Sequence, residues 1–306
     1  MESTKFKLKT TPPFDFISTI TQWGVHPPLE YLVEGVYYSV IRLPSGKLAT
    51  LSMCSRGEIN RPLIEIVAKT KKVLSKEEKM KLEETIRWQL GVDENINEFY
   101  DIVKEDAILK LVVKDLYGMR VRASSNLFYT LALSIALQNA PIARSKNMLR
   151  LLTQRFGQPS IINDLNIFAF PAASEIAKAS INELLECKWG YRSKYLKNAA
   201  NAVLEEELRV NRLKEFQIND IIQLLCKIKG IGKYSAEIVA LDALRKYNTF
   251  PLDSWSSKIF SKLYFGTDDV SVDVLNNFTH EKWGNYRGLA FVYIFNDLEN
   301  LSKRSQ

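Results

Sequence analysis

The sequence predicts a mainly α-helical protein with an N-terminal α+β domain. Three observations carry that reading. Residues 33–53, VEGVYYSVIRLPSGKLATLSM, hold two runs of strand-forming residues around Pro44-Ser45-Gly46, a turn signature. From about residue 116 the apolar spacing becomes helical and stays so. Residues 218–246 read as helix, glycine turn, helix. The boundaries follow as 1–115 for the α+β domain and 116–306 for a helical domain.

In chain order, the hairpin of 33–53 supplies an antiparallel pair, and residues 59–68 suit another strand. Ser75 followed by Glu78 forms a capping box that opens a helix through about Leu90. NLFYTLALSIALQ (126–138) is apolar on all sides and reads as a buried helix. NMLRLLTQRFG (147–157) stops at Gly157 with Pro159 beyond. SINELLEC (180–187) and KYLKNAANAVLEEEL (194–208) have amphipathic spacing. INDIIQLLCKI (218–228) leads into the glycines and YSAEIVALDALRK (234–246) leads out of them. The last helix is YRGLAFVYIFNDLE (286–299).

Composition narrows the class. Of 306 residues, 46% are apolar and 25% charged, a globular balance. Three cysteines without CxxC spacing and two histidines argue against a zinc or iron–sulfur site, so no metal ligands are expected. The thin cysteine count points to a reducing, intracellular setting: cytoplasm or nucleoid, or nucleus in a eukaryote. No apolar run reaches the ~18 residues a membrane helix needs. The net charge of +7 is unevenly spread. Leu116 to Asn163 and Cys187 to Asn198 contain no acidic residue but many Lys and Arg, and Lys227, Lys229, Lys233, Lys258 and Lys262 form a third basic block. Brought together by the fold, these blocks would face phosphates; scattered, they would be ordinary solvated lysines.

The stretch IKGIGKYSAE (228–237) carries the chemistry. Gly230 and Gly232 permit a tight turn and close approaches. Ile231 plugs the gap between the two helices. The second helix starts with unpaired N–H groups, which with the helix dipole make an anion site flanked by Lys229 and Lys233. Backbone amides grip any phosphate, so contact there is independent of base sequence.

Together with YNTFPLDSWSSKIF (247–260) downstream, this resembles the helix-hairpin-helix DNA glycosylase superfamily, between its 3-methyladenine II and 8-oxoguanine branches. WGYRSKYLKNAANAVLE (189–205), QNAPIAR (138–144), WGNYRGLAFVYIFND (283–297) and the N-terminal PPFDFISTI (12–20) extend the similarity over about residues 5–300. The resemblance implies the helix-hairpin-helix glycosylase fold, with two helical lobes around an active site. It implies a monomer acting on double-stranded DNA that contains a damaged base. Asp253 matches the essential aspartate, in the loop 247–256, and also suits an N-cap. Asn139, with Gln138, matches the segment that fills the hole left by a flipped base, and Arg144 the group contacting the estranged base. Asn139 equally suits a helix end before Pro141. Tyr234 stands where strand-cleaving members keep a lysine, and Lys233 is rotated from it by ~100°. That implies a monofunctional enzyme with water as nucleophile. Phe291 replaces the glutamine expected for oxidised guanine, Phe295 keeps the stacking position, and Tyr234 and Trp255 complete an aromatic pocket suited to alkylated purines. Phe291 and Phe295 equally suit the core of an apolar helix. Lys258 adds to the DNA-facing charge. No cofactor is implied, beyond a monovalent cation on the hairpin carbonyls around Ile228 and Ile231. The alternatives are an 8-oxoguanine-type enzyme with lyase activity and an altered pocket, and a hairpin module that only binds DNA.

Overall fold

The computed structural model describes residues 2–205 and 208–304. Strands β1 (Glu2–Lys9), β2 (Glu30–Val33), β3 (Val36–Arg42), β4 (Leu48–Ser55) and β5 (Leu63–Thr70) form one antiparallel sheet in the order β1-β5-β4-β3-β2. β5 alternates strictly between half-buried and buried side chains, as a strand with one covered face should. The covered face packs on α1 (Phe16–Ile20) and α2 (Lys76–Leu90) through Phe16, Ile20, Leu51, Ile66, Leu82 and Ile86. The capping box of α2 forms as its sequence indicates: Ser75 Oγ accepts from the Glu78 N–H, and Glu78 accepts from the Ser75 N–H.

The remaining helices are α3 (Asn97–Val103), α4 (Ala107–Asp115), α5 (Leu127–Leu137), α6 (Ile142–Phe156), α7 (Ala173–Lys178), α8 (Ile181–Glu186) and α9 (Arg192–Val203). They are followed by α10 (Val210–Glu215), α11 (Ile218–Cys226), α12 (Lys233–Leu244), α13 (Ser254–Phe265), α14 (Val272–Trp283), α15 (Arg287–Asn296) and α16 (Leu298–Arg304). Two apolar cores organise them. One joins α5, α6, α9, α11 and α12; the other joins α3, α4, α13, α14 and α15. α12 contributes Ala236, Val239 and Ala243 to the first core and Leu241 to the second. A helix wedged between two cores is buried on most sides, which explains its many small apolar residues.

The structure differs from the sequence expectation in three places. The chain after Gly157 is not helical throughout: β6 (Gln158–Ile162) and β7 (Leu165–Ala169) form a hairpin. Its two turn residues, Asn163 and Asp164, both have positive φ, the geometry of a type I′ turn. It docks on the N-terminal sheet, where Tyr31 donates to the Asn166 carbonyl and the Phe168 N–H donates to the Pro28 carbonyl. The helix expected over 194–208 ends at Val203, and residues 206–207 of that stretch lie outside the described residues. The final helix breaks at Asp297 and restarts as α16.

Candidate active site

The hairpin between α11 and α12 is built as its glycines suggest, but the two glycines differ in purpose. Gly230 has φ +104°, and a Cβ there would lie 2.3 Å from Cγ of Tyr195. Gly232 has φ −98°, which any residue adopts, and a Cβ there would meet nothing within 4 Å. So the fold of the protein requires Gly230 and does not require Gly232. Ile231 is the buried plug. α12 starts at Lys233 with no side-chain cap, so its first N–H groups stay open to an anion. Lys229 and Lys233 are exposed beside them.

One face of α9 braces this hairpin and the 138–139 loop together. Tyr195 packs on Gly230, and Asn198 Nδ2 donates to the Lys229 carbonyl at 3.1 Å. One turn earlier, Arg192 Nη2 donates to the main-chain carbonyls of Gln138 and Asn139. Gln138 closes the circuit: its Nε2 donates to the Gly230 carbonyl at 2.8 Å and to Ser235 Oγ at 3.2 Å. The Gln138 side chain is therefore occupied inside the protein. Asn139 is exposed, at φ +46°, and Arg144 is exposed on the first turn of α6.

Asp253 is the N-cap of α13. Its Oδ1 accepts from the Trp255 N–H (3.1 Å), the Ser256 N–H (2.8 Å) and Ser256 Oγ (2.8 Å). Oδ2 accepts no hydrogen bond from the described residues. The cap thus fixes one oxygen and leaves the other available. Tyr234 lies near this carboxylate. Burial first, then the charges of Asp253 and Asp242, push its phenol well above the usual tyrosine range, so it stays neutral.

The aromatic residues come together only in part. Trp255, half exposed, meets Phe295 at 5.1 Å between ring centres, and Phe295 meets Phe291 at 4.4 Å. Phe291 itself is buried against Phe250 and Phe260, so it backs the group from the core. Tyr234 makes no ring contact with these three among the described residues and approaches from the Asp253 side. Lys258 is exposed on α13.

Residues 132–284, half of the chain, match the HhH-GPD superfamily of base excision DNA repair proteins. The chain belongs to that family. It is a base-excision DNA glycosylase. It is 23% identical over 255 residues to a probable N-glycosylase/DNA lyase of Methanothermobacter thermautotrophicus, covering 77% of each chain. In structure it is similar to the 3-methyladenine DNA glycosylase of Archaeoglobus fulgidus, with TM-score 0.80, 24% identity and coverage of 95% of this chain and 98% of that one. It is also similar to the Clostridium acetobutylicum 8-oxoguanine glycosylase/lyase in complex with double-stranded DNA containing cytosine opposite 8-oxoG. There the TM-score is 0.76 at 22% identity, with 97% and 98% covered. The fold is thus common to both branches.

Set in this HhH-GPD glycosylase frame, two residues near the site escaped the sequence reading. Arg192 had a visible signal, being the arginine of the WGYR segment, but its carbonyl partners are more than fifty residues away in sequence. Trp23 had none. It follows α1 at φ +61°, a strained value for a bulky residue, and is 39% exposed. Its ring lies 6.5 Å from that of Phe295, and its main-chain N–H donates to Asn296 Oδ1. The carbonyls suggested for a monovalent cation are chemically suitable. Ile228 accepts one bond from the Ile231 N–H and keeps a lone pair, and Ile231 accepts none from the described residues. Such a cation would add positive charge at the hairpin.

Proposed function

We propose that this glycosylase is monofunctional, binds duplex DNA containing a damaged base, and hydrolyses the N-glycosidic bond of alkylated purines. Tyr234 carries the proposal. A neutral phenol stands beside Asp253, where a strand-cleaving enzyme of this architecture needs an amine nucleophile.

The hairpin amides, Lys229 and Lys233 hold a DNA phosphate, with Gly232 leaving room for its close approach. The damaged nucleotide leaves the stack, since the bond is out of reach in duplex. Asn139 enters the vacated space and Arg144 meets the partner base, while Gln138 and Arg192 hold their loop rigid. Trp255, Phe295 and Trp23 offer π-faces to the extruded ring. As the base departs, positive charge develops on the sugar. Asp253 Oδ2 stabilises it, with Oδ1 pinned by the helix cap, and orients the attacking water.

The test is base release from duplexes carrying 3-methyladenine, 1-methyladenine, hypoxanthine or 8-oxoguanine. Release from the alkylated duplexes, with strand breakage only after alkali, supports the reading. Breakage without alkali, together with borohydride trapping of a covalent adduct, supports the 8-oxoguanine-type lyase instead.

A further inference from the structure

A cavity of about 620 Å³ opens between the N-terminal sheet, α5 and α12. Trp23, His26 and Asp242 are among the residues that line it. Two routes link this space to the catalytic carboxylate. Along α12, Asp242 follows Tyr234 by eight residues, about 12 Å along the axis and about 80° around it, and its charge acts on the Tyr234 phenol. Through the rings, Trp23 meets Phe295, which meets Trp255, two residues from Asp253. Trp23 thus belongs both to the cavity wall and to the aromatic group, so the space that Asp242 lines borders that group.

The two arginines that act on Asp242 already have carboxylate partners. Arg122 pairs with Glu30, Nη1 to Oε2 at 2.5 Å and Nη2 to Oε1 at 3.2 Å. Arg245 pairs with Glu94 at 2.9 Å. Each guanidinium thus has its own carboxylate, and Asp242 is a third carboxylate with neither a hydrogen bond nor an ion pair among the described residues. Its main-chain carbonyl accepts from the Ser124 N–H. Asp242 is half-buried, and its side chain borders the cavity rather than the packed core. A carboxylate that lines a cavity beside an active site is poised to meet a ligand.

We propose that Asp242 is a specificity-determining residue at the deep end of the base pocket, where its carboxylate meets the positive charge or N–H edge of a cationic alkylated purine. The proposal rests on the alkylated-purine reading and deepens it. A cation entering this space offsets the desolvation of the carboxylate. A neutral oxidised base offers no such return.

Burial pushes the Asp242 carboxyl up to about 7, against the pull of Arg122 and Arg245. The Tyr129 and Tyr234 hydroxyls also feel its charge and stay neutral, and His26 on the same cavity is held below its ordinary value by burial. Release of a permanently charged base therefore rises with pH through about 7 as Asp242 ionises.

The experiment compares wild-type protein with Asp242→Asn in single-turnover base release from duplexes carrying 3-methyladenine or hypoxanthine. The ratio of the two rates within one preparation controls for folding. The expected result is a drop of about 10- to 100-fold on 3-methyladenine, with hypoxanthine release changed less than about threefold. The rise with pH is also lost in the variant. Parallel losses on both substrates, or no loss on 3-methyladenine, overturn the proposal alone. A wild-type protein that releases no alkylated base overturns the alkylated-purine reading and this proposal with it.

Discussion

Tyr195 lies so close to Gly230 that a methyl group at the glycine would overlap its ring, while Gly232, two residues on, faces open space. The pair of glycines therefore separates folding from binding. Gly230→Ala meets both a forbidden φ and the ring, and loses about 3 kcal/mol or more in urea unfolding. Gly232→Ala stays within about 1 kcal/mol of wild type, yet binds duplex DNA about tenfold more weakly in fluorescence anisotropy. Equal affinity of Gly232→Ala and wild type would remove the phosphate grip from the hairpin.

Gln138 and Asn139 divide in the same way. Gln138→Ala breaks two ties to the hairpin and lowers stability by about 1–2 kcal/mol. Asn139→Gly keeps the left-handed backbone, so its melting temperature holds, while single-turnover base release slows by about tenfold or more. A fast Asn139→Gly enzyme would leave Asn139 as an ordinary helix-flanking residue.

Asp253→Asn keeps a capping side chain, because asparagine caps helices as well as aspartate does. Its stability therefore changes by less than about 1 kcal/mol. Base release falls by about 10²- to 10³-fold or more, since the charge facing the sugar is gone. Retained activity in this variant would refute the role of the carboxylate.

Asp242 also marks the pH dependence of stability. Its folded-state pKa, about 7, lies above the ordinary value of 3.8. Below about pH 4 both states are protonated and the residue costs nothing. As pH rises from about 4 to about 7 the unfolded chain ionises first, so stability falls and then levels off. Asp242→Asn has no such proton to lose. It gains about 2–4 kcal/mol over wild type at pH 8, and the gain shrinks steadily towards pH 4. Urea titrations of both proteins across that range measure the difference. A gap that does not change with pH would mean that the carboxyl titrates normally.

Much of the fold was legible because local patterns point the same way as the tertiary structure. The Ser75–Glu78 box, the 33–53 hairpin and the glycine turn each form where local chemistry places them. The β6–β7 hairpin was missed although Asn163-Asp164 is a turn dipeptide between apolar alternations. A short apolar run is ambiguous between helix and strand until its docking partner, here the N-terminal sheet, is known.

The sequence by itself determined the family and marked the residues proposed for the reacting centre: the hairpin glycines, Asp253 and the tyrosine beside it. Those are local signals, since a turn, a cap and a helix register are each fixed within a few residues. Only the tertiary structure decided which glycine serves the fold, that Gln138 is a brace, that Phe291 backs the pocket from the core, and that Trp23 joins the aromatic group. It alone showed that two arginines near Asp242 are already matched by Glu30 and Glu94. These are questions of which groups meet across tens to hundreds of residues, and spacing along the chain holds no record of them.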